Sequence, residues 1–126
     1  MSYLLVFLGA GIGGVLRHGV NLGALRLFGS GFPYGTLIVN VAGSLLIGLL
    51  AGLFLARPGI PQEARLFLTT GLLGGFTTFS TFSLDTALLI ERDALLAAAA
   101  YVLGSVVLGL AAFFAGLSLS RTGIFA

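Results

Sequence analysis

The chain has 126 residues, of which 58% are hydrophobic and 8% charged, and its mean hydropathy is +1.15. A globule this small needs a polar exterior, so the composition excludes a soluble domain and points to an integral membrane protein. With no cysteine, disulfides, thiolate metal sites and Cys nucleophiles are excluded, and a scattered net charge of +2 excludes a nucleic-acid patch.

A helix needs about 20 mostly apolar residues to cross the hydrocarbon core. Four segments meet that need, which gives an all-α integral membrane fold in one domain over residues 1–126, with short connections. The first covers residues 3–28. Its opening Met-Ser-Tyr carries no basic side chain and no small-x-small cleavage site follows, so it reads as a retained helix and not a signal peptide. GAGIGG, residues 9–14, matches G-x-G-x-x-G, but no strand or βαβ unit surrounds it as a dinucleotide site requires. The four-residue spacing of Gly9 and Gly13, repeated at Gly19 and Gly23, instead suits close helix packing. From Arg17 onward the segment is less regular. RHGVNLGALRLF reads either as the vestibule end of the helix or as an interfacial continuation. His18, the single histidine, sits there as an interfacial residue with no assigned chemistry.

The second segment, residues 33–56, opens at Pro33 and closes at Arg57, Pro58 and Gly59. It carries Asn40 in GTLIVNVAGS. A bare amide in hydrocarbon is costly without partners. Thr36 and Ser44, one turn to either side, make a narrow polar stripe with it. An interhelical hydrogen bond would explain the stripe, and so would a polar pathway. Gly48 and Gly52 are again four apart.

The third segment, residues 62–90, opens at Pro61 and closes at Glu91, Arg92 and Asp93. It contains GGFTTFSTFS, residues 74–83, in which five hydroxyls and three phenylalanines follow a Gly-Gly pair. Two glycines followed by two threonines are where this helix is expected to break, near its middle. Carbonyls freed by a break in a membrane must be buried or bind something, and hard carbonyl oxygens suit Na⁺. Gly71 and Gly75 repeat the packing spacing. The fourth segment, residues 94–120, ends before Arg121 and carries a stripe of Tyr101, Ser105 and Gly109.

Depth brings the stripes together. At 1.5 Å per residue, Asn40 and Tyr101 lie about 10 Å from the membrane face opposite the N-terminus. By the same rise, Phe82 and Phe79 lie about 12 and 16 Å in, Ser105 is level with Phe79, and Gly74 is about 18 Å in, near the midplane. An amide, a phenol, hydroxyls and ring edges can therefore meet at one depth. All are hydrogen-bond donors or electropositive edges without formal charge, which suits a small anion. Arg17 and Asp85 are the formal charges placed well inside apolar runs, each explained by an ion pair or by electrostatic funnelling. No Ser/His/Asp arrangement, carboxylate pair or metal-ligand cluster is present, so the chain is not read as an enzyme.

Orientation is undetermined by charge. Arg57, Arg65 and Arg121 fall on the N-terminal side and Arg17, Arg26 and Arg92 on the other, so no Lys/Arg excess sets a direction. Insertion both ways, and pairing with an inverted copy, follow as expectations. Four helices are also thin walls for a pathway, which again favours a dimer.

GGFTTFSTFS, with GTLIVNVAGS ahead of it and GGVLRH in the first helix, resembles the Fluc/CrcB family of fluoride channels. The likeness covers essentially the whole chain, with the motifs in the same order. It implies a multi-pass protein of the cell inner membrane, an inverted homodimer with two fluoride pores and one central structural Na⁺. By motif position, Phe79 and Phe82 would be the paired pore phenylalanines and Asn40 the pore asparagine. Thr36, Tyr101 and Ser105 would line a polar track, which Gly109, in place of a serine, would shorten. The carbonyls of Gly74 and Thr77 from both copies would hold Na⁺. Arg17 matches the vestibule arginine, Asp85 stands where relatives often carry Glu, and Ser80 and Thr81 would support the break. The implied function is passive fluoride export that relieves toxicity, since neutral HF enters from acid surroundings and dissociates inside. Two rivals differ in class. A small proton-coupled multidrug exporter needs a carboxylate in the first helix, and residues 1–28 hold neither Asp nor Glu. A structural subunit would use every polar stripe as helix glue. A family member with drifted halide selectivity is also compatible with these residues.

Overall fold

The computed structural model describes residues 1–124. Helix α1 runs over Ser2–Phe28, α2 over Tyr34–Ala56, and a broken third stretch follows. That stretch begins with α3, Gln62–Leu66, widens into a π-helical segment, Phe67–Leu73, and closes with one α-helical turn, α4, Gly74–Phe76. It resumes as α5, Phe79–Glu91. Helix α6 spans Leu95–Leu119, followed by a short π-turn, Ser120–Ile124, that kinks at Gly123. Among the described residues three helices are long and apolar enough to cross a membrane: α1, α2, and α6 with its extension.

These boundaries fall within a residue or so of the apolar runs. The first segment, though, is one uninterrupted helix through Arg17 and Arg26. The break falls inside the expected stretch, residues 74–78, but at its threonines and not at its glycines. Gly74 and Gly75 are helical, and it is Thr77 (φ −89°, ψ 160°) and Thr78 (φ −154°, ψ 122°) that are extended. The reason is packing. A side chain on Gly75 would run into the Ala10 backbone, its Cβ lying 2.8 Å from Ala10 Cα, so this glycine serves close approach and not unwinding.

Small residues set the rest of the architecture. A Cβ on Gly9 would lie 2.8 Å from the Phe67 carbonyl oxygen, and one on Gly13 would lie 2.8 Å from the Phe76 nitrogen. Helix α1 thus lies backbone to backbone on the π-segment and α4. On the other side, Gly48 meets Phe113, Gly52 meets Ser120, and Gly116 meets Leu45 and Leu49, which seats α2 on α6. Ser120 Oγ fastens that seam by donating to the carbonyls of Leu49 (2.9 Å) and Gly116 (3.0 Å). Gly19 and Gly23 depart from the pattern, because nothing lies within 4 Å of a Cβ at either. Their packing role is not realised within one chain. Bulky side chains make one small core, Leu89, Ala98 and Tyr101, ringed by Phe32, Leu37 and Phe82, which holds α5 against α6.

Candidate functional site

The break is built by hydrogen bonds that replace helical ones. Thr77 N–H still donates to the Leu73 carbonyl at 3.0 Å, and its hydroxyl donates to the same oxygen at 3.0 Å. Thr78 N–H would next bond the Gly74 carbonyl in a continuing helix. It donates instead to Asn40 Oδ1 at 2.8 Å, while Asn40 Nδ2 donates to the Thr78 carbonyl at 3.0 Å. The amide of α2 therefore satisfies both backbone groups of the residue at the gap, as membrane burial demands. Thr78 also caps the second half. Its hydroxyl accepts from Thr81 N–H at 3.2 Å, donates to Thr81 Oγ1 at 3.1 Å, and lies 3.4 Å from Ser80 Oγ. The interhelical-bond explanation of Asn40 holds, and the bond goes to the break itself.

Beside the break lies an open groove of about 430 Å³. It gathers residues singled out in the sequence, among them Asn40, Ser44, Gly74, Thr77, Phe79, Phe82 and Ser105. The Phe79 and Phe82 rings stand 5.6 Å apart at 48°, with Phe79 78% exposed. Ser105 Oγ is buried and has no hydrogen-bond partner among the described residues. No side chain lining this groove carries a formal charge.

Thr36, Thr81 and Asp85 line a second, smaller cavity of about 260 Å³, at the end where the chain passes from α1 to α2. Tyr101 lies fully buried between the two spaces. Its ring stands 5.1 Å from Phe82, its hydroxyl donates to Asp85 Oδ2 at 3.0 Å, and the Thr36 hydroxyl lies beside the same phenol. Asp85 thus finds its partner in a phenol. Arg17 lines neither space; it is half-buried on α1 with no polar partner among the described residues.

Thr78, the second threonine of the expected break, is the hinge of the arrangement, and a Thr three residues before Thr81, ahead of an apolar run, is a readable cap signal. Two further lining residues were given no role by the sequence. Thr69 lines the groove from the π-segment, and Asn21 lines the second cavity. Neither position had a spacing to mark it.

For a cation, the relevant donors are carbonyls. Among the described residues no cluster of His, Cys, Asp or Glu could hold a metal ion. The Gly74 carbonyl loses its regular helical partner because Thr78 N–H is bonded to Asn40, and Thr77 is extended. Uncharged oxygens of this kind fit a hard monovalent cation, although two from one chain are too few for a full shell.

The profile of the family described as "CrcB-like protein, Camphor Resistance (CrcB)" matches residues 4–117. The chain is 64% identical over 121 residues, 96% of its length and 97% of the relative's, to a fluoride-specific ion channel FluC of Methylobacterium nodulans. It is 58% identical over 121 residues, 96% of its length and 98% of the relative's, to the FluC of Rhodopseudomonas palustris. With the FluC of Granulibacter bethesdensis it shares 56% over 122 residues, 97% and 96% of the two chains.

Proposed function

The chain belongs to the CrcB family, whose curated relatives are fluoride-specific ion channels, and from that premise we propose how its own residues conduct fluoride. The carrying observation is the groove. It offers an amide, an unbonded hydroxyl and two tilted phenyl rings, and no formal charge. Fluoride holds water tightly, so a pathway must replace that water with donors. Asn40 uses one Nδ2 hydrogen on Thr78, which leaves the second for the anion. Ser105 Oγ supplies another donor. The ring edges of Phe79 and Phe82 are electropositive and contribute without fixed charge. A lysine or arginine in their place would bind the ion and hold it; neutral donors let it leave. Thr36 and Tyr101 continue the donor track toward the second cavity, and Arg17 raises the local anion concentration from α1.

The proposed assembly is an inverted homodimer in the cell inner membrane. The open side of the groove and the exposure of Phe79 support it, as does the even division of arginines between the two faces. Na⁺ would be held at the two-fold axis by the carbonyls of Gly74 and Thr77 from both copies, fixing the break without entering the pathway. Flow is passive, driven outward by a negative interior.

The test is anion efflux from liposomes containing the purified protein, with Na⁺ present. Fast fluoride release with no chloride release is expected. Equal release of both would overturn selectivity, and no release from a verified dimer would overturn conduction.

A further inference from the structure

The second cavity holds an amide that the track above does not use. Asn21 projects from α1 one turn beyond Arg17, on the same face. It packs on Gly35 of α2, where a Cβ would lie 3.0 Å from Asn21 Cα and would also run into Oδ1. Gly35 directly precedes Thr36, so the absence of a side chain there is what lets Asn21 close on the track. With its oxygen edge on Gly35 and no hydrogen bond among the described residues, the amide retains both Nδ2 hydrogens unused. Asn21 shares the cavity with Thr36, Thr81 and Asp85.

We propose that Asn21 is a further anion-binding residue, which donates to fluoride in the second cavity as the ion passes between the groove and the membrane surface. The inference rests on the fluoride-channel reading and extends it to a residue on α1. The first turn of α5 is the wall between the two spaces, since the consecutive residues Phe82 and Thr81 line one each. An ion leaving the rings must find a donor on the far side before water replaces it. Thr36 is already beside the Tyr101 phenol, and that phenol is bonded to Asp85. The Thr81 hydroxyl accepts from Thr78 and has its own hydrogen free, and the Asn21 amide, with two free hydrogens, is the uncommitted donor on α1. Arg17, unpaired one turn deeper, adds positive potential on the same helix face. The Asp85 carboxylate opposes both and keeps the ion from being held, so the cavity is a place of transit.

Fluoride efflux from liposomes separates the outcomes, with wild type beside Asn21→Asp, Asn21→Leu and Asn21→Ser, each checked for thermal stability in detergent. Asn21→Asp keeps the shape and replaces the donor with negative charge; efflux is expected to slow at least roughly tenfold. Asn21→Leu should slow it by less, and Asn21→Ser, which keeps a donor, should stay within about threefold of wild type. Wild-type rates in the Asp and Leu variants would overturn the inference. Equal losses in all three, serine included, would also overturn it, because Asn21 would then act only through packing on Gly35. If wild type itself releases no fluoride, the channel reading fails, and the inference with it.

Discussion

Asn40 holds the broken strand of the third helix with one N–H and its oxygen, and has one N–H left. In the proposed pathway the same side chain carries structure and conduction, and substitutions separate them by sign. Asn40→Asp can still accept from Thr78 N–H but loses the bond to the Thr78 carbonyl and brings a negative charge to the groove. Fluoride efflux should be abolished, while the proposed dimer, read by size-exclusion chromatography, persists. Asn40→Leu leaves both backbone groups of Thr78 unsatisfied, at roughly 1–3 kcal/mol each, and should show as a lowered unfolding temperature. Ser105 runs the other way. Its buried hydroxyl has no partner among the described residues, so Ser105→Ala removes a desolvated group and is expected to stabilise the protein by about 1 kcal/mol while slowing fluoride release. A variant both less stable and fully active would count against the role given to Ser105. The chemistry at this scale was legible because polar residues in an oily run are conspicuous. Asn21 was not, since it lay among other polar residues beyond Arg17 and its importance depends on Gly35 from a different helix.

At the scale of elements, the turn between α2 and the third stretch depends on Arg65. Its guanidinium lies over the Phe54 ring, 4.8 Å from the centroid, and donates to the carbonyls of Phe54, Arg57, Pro58 and Ile60 at 3.2–3.4 Å. The Phe54 carbonyl belongs to the last turn of α2, where a cation is favourable, and the other three belong to the loop that follows it. Arg65→Gln should lower stability by roughly 1–2 kcal/mol, read by thermal melting in detergent, with fluoride selectivity retained. A selectivity change would mean that the turn controls the pathway. The apolar runs made the element boundaries readable, because a bilayer imposes a length. The π-segment was not readable. Phe67–Leu73 has no special residue pattern, and its widened backbone lies where the glycines of α1 press close. The break was readable to the stretch 74–78 but not to the residue: Gly75 marks where two helices touch, and the unwinding falls on the threonines that have Asn40 to bond.

On the whole molecule, the groove is open along one side and α1 leaves Gly19 and Gly23 uncovered. An inverted pair, as proposed, would close the groove. It would also place chain termini on both faces of the membrane. Reporters fused to the C-terminus, one active only in the cytoplasm and one only outside, are both expected to score. A signal from one alone would overturn dual insertion. Both the even division of arginines and the unfilled groove are properties of the whole arrangement of helices, and only the first could be seen in the sequence. The glycine seams carry a different consequence. Where backbones touch through glycine, a single added methyl group has nowhere to go, whereas the lipid-facing side chains have fluid neighbours that accommodate any apolar shape. The tolerance of this chain to substitution is thus the reverse of a soluble protein's, in which truncating large buried residues does the greatest harm. Over generations its lipid-facing leucines and valines are free to drift among themselves, while the glycines of the two seams are the ones that descent must keep.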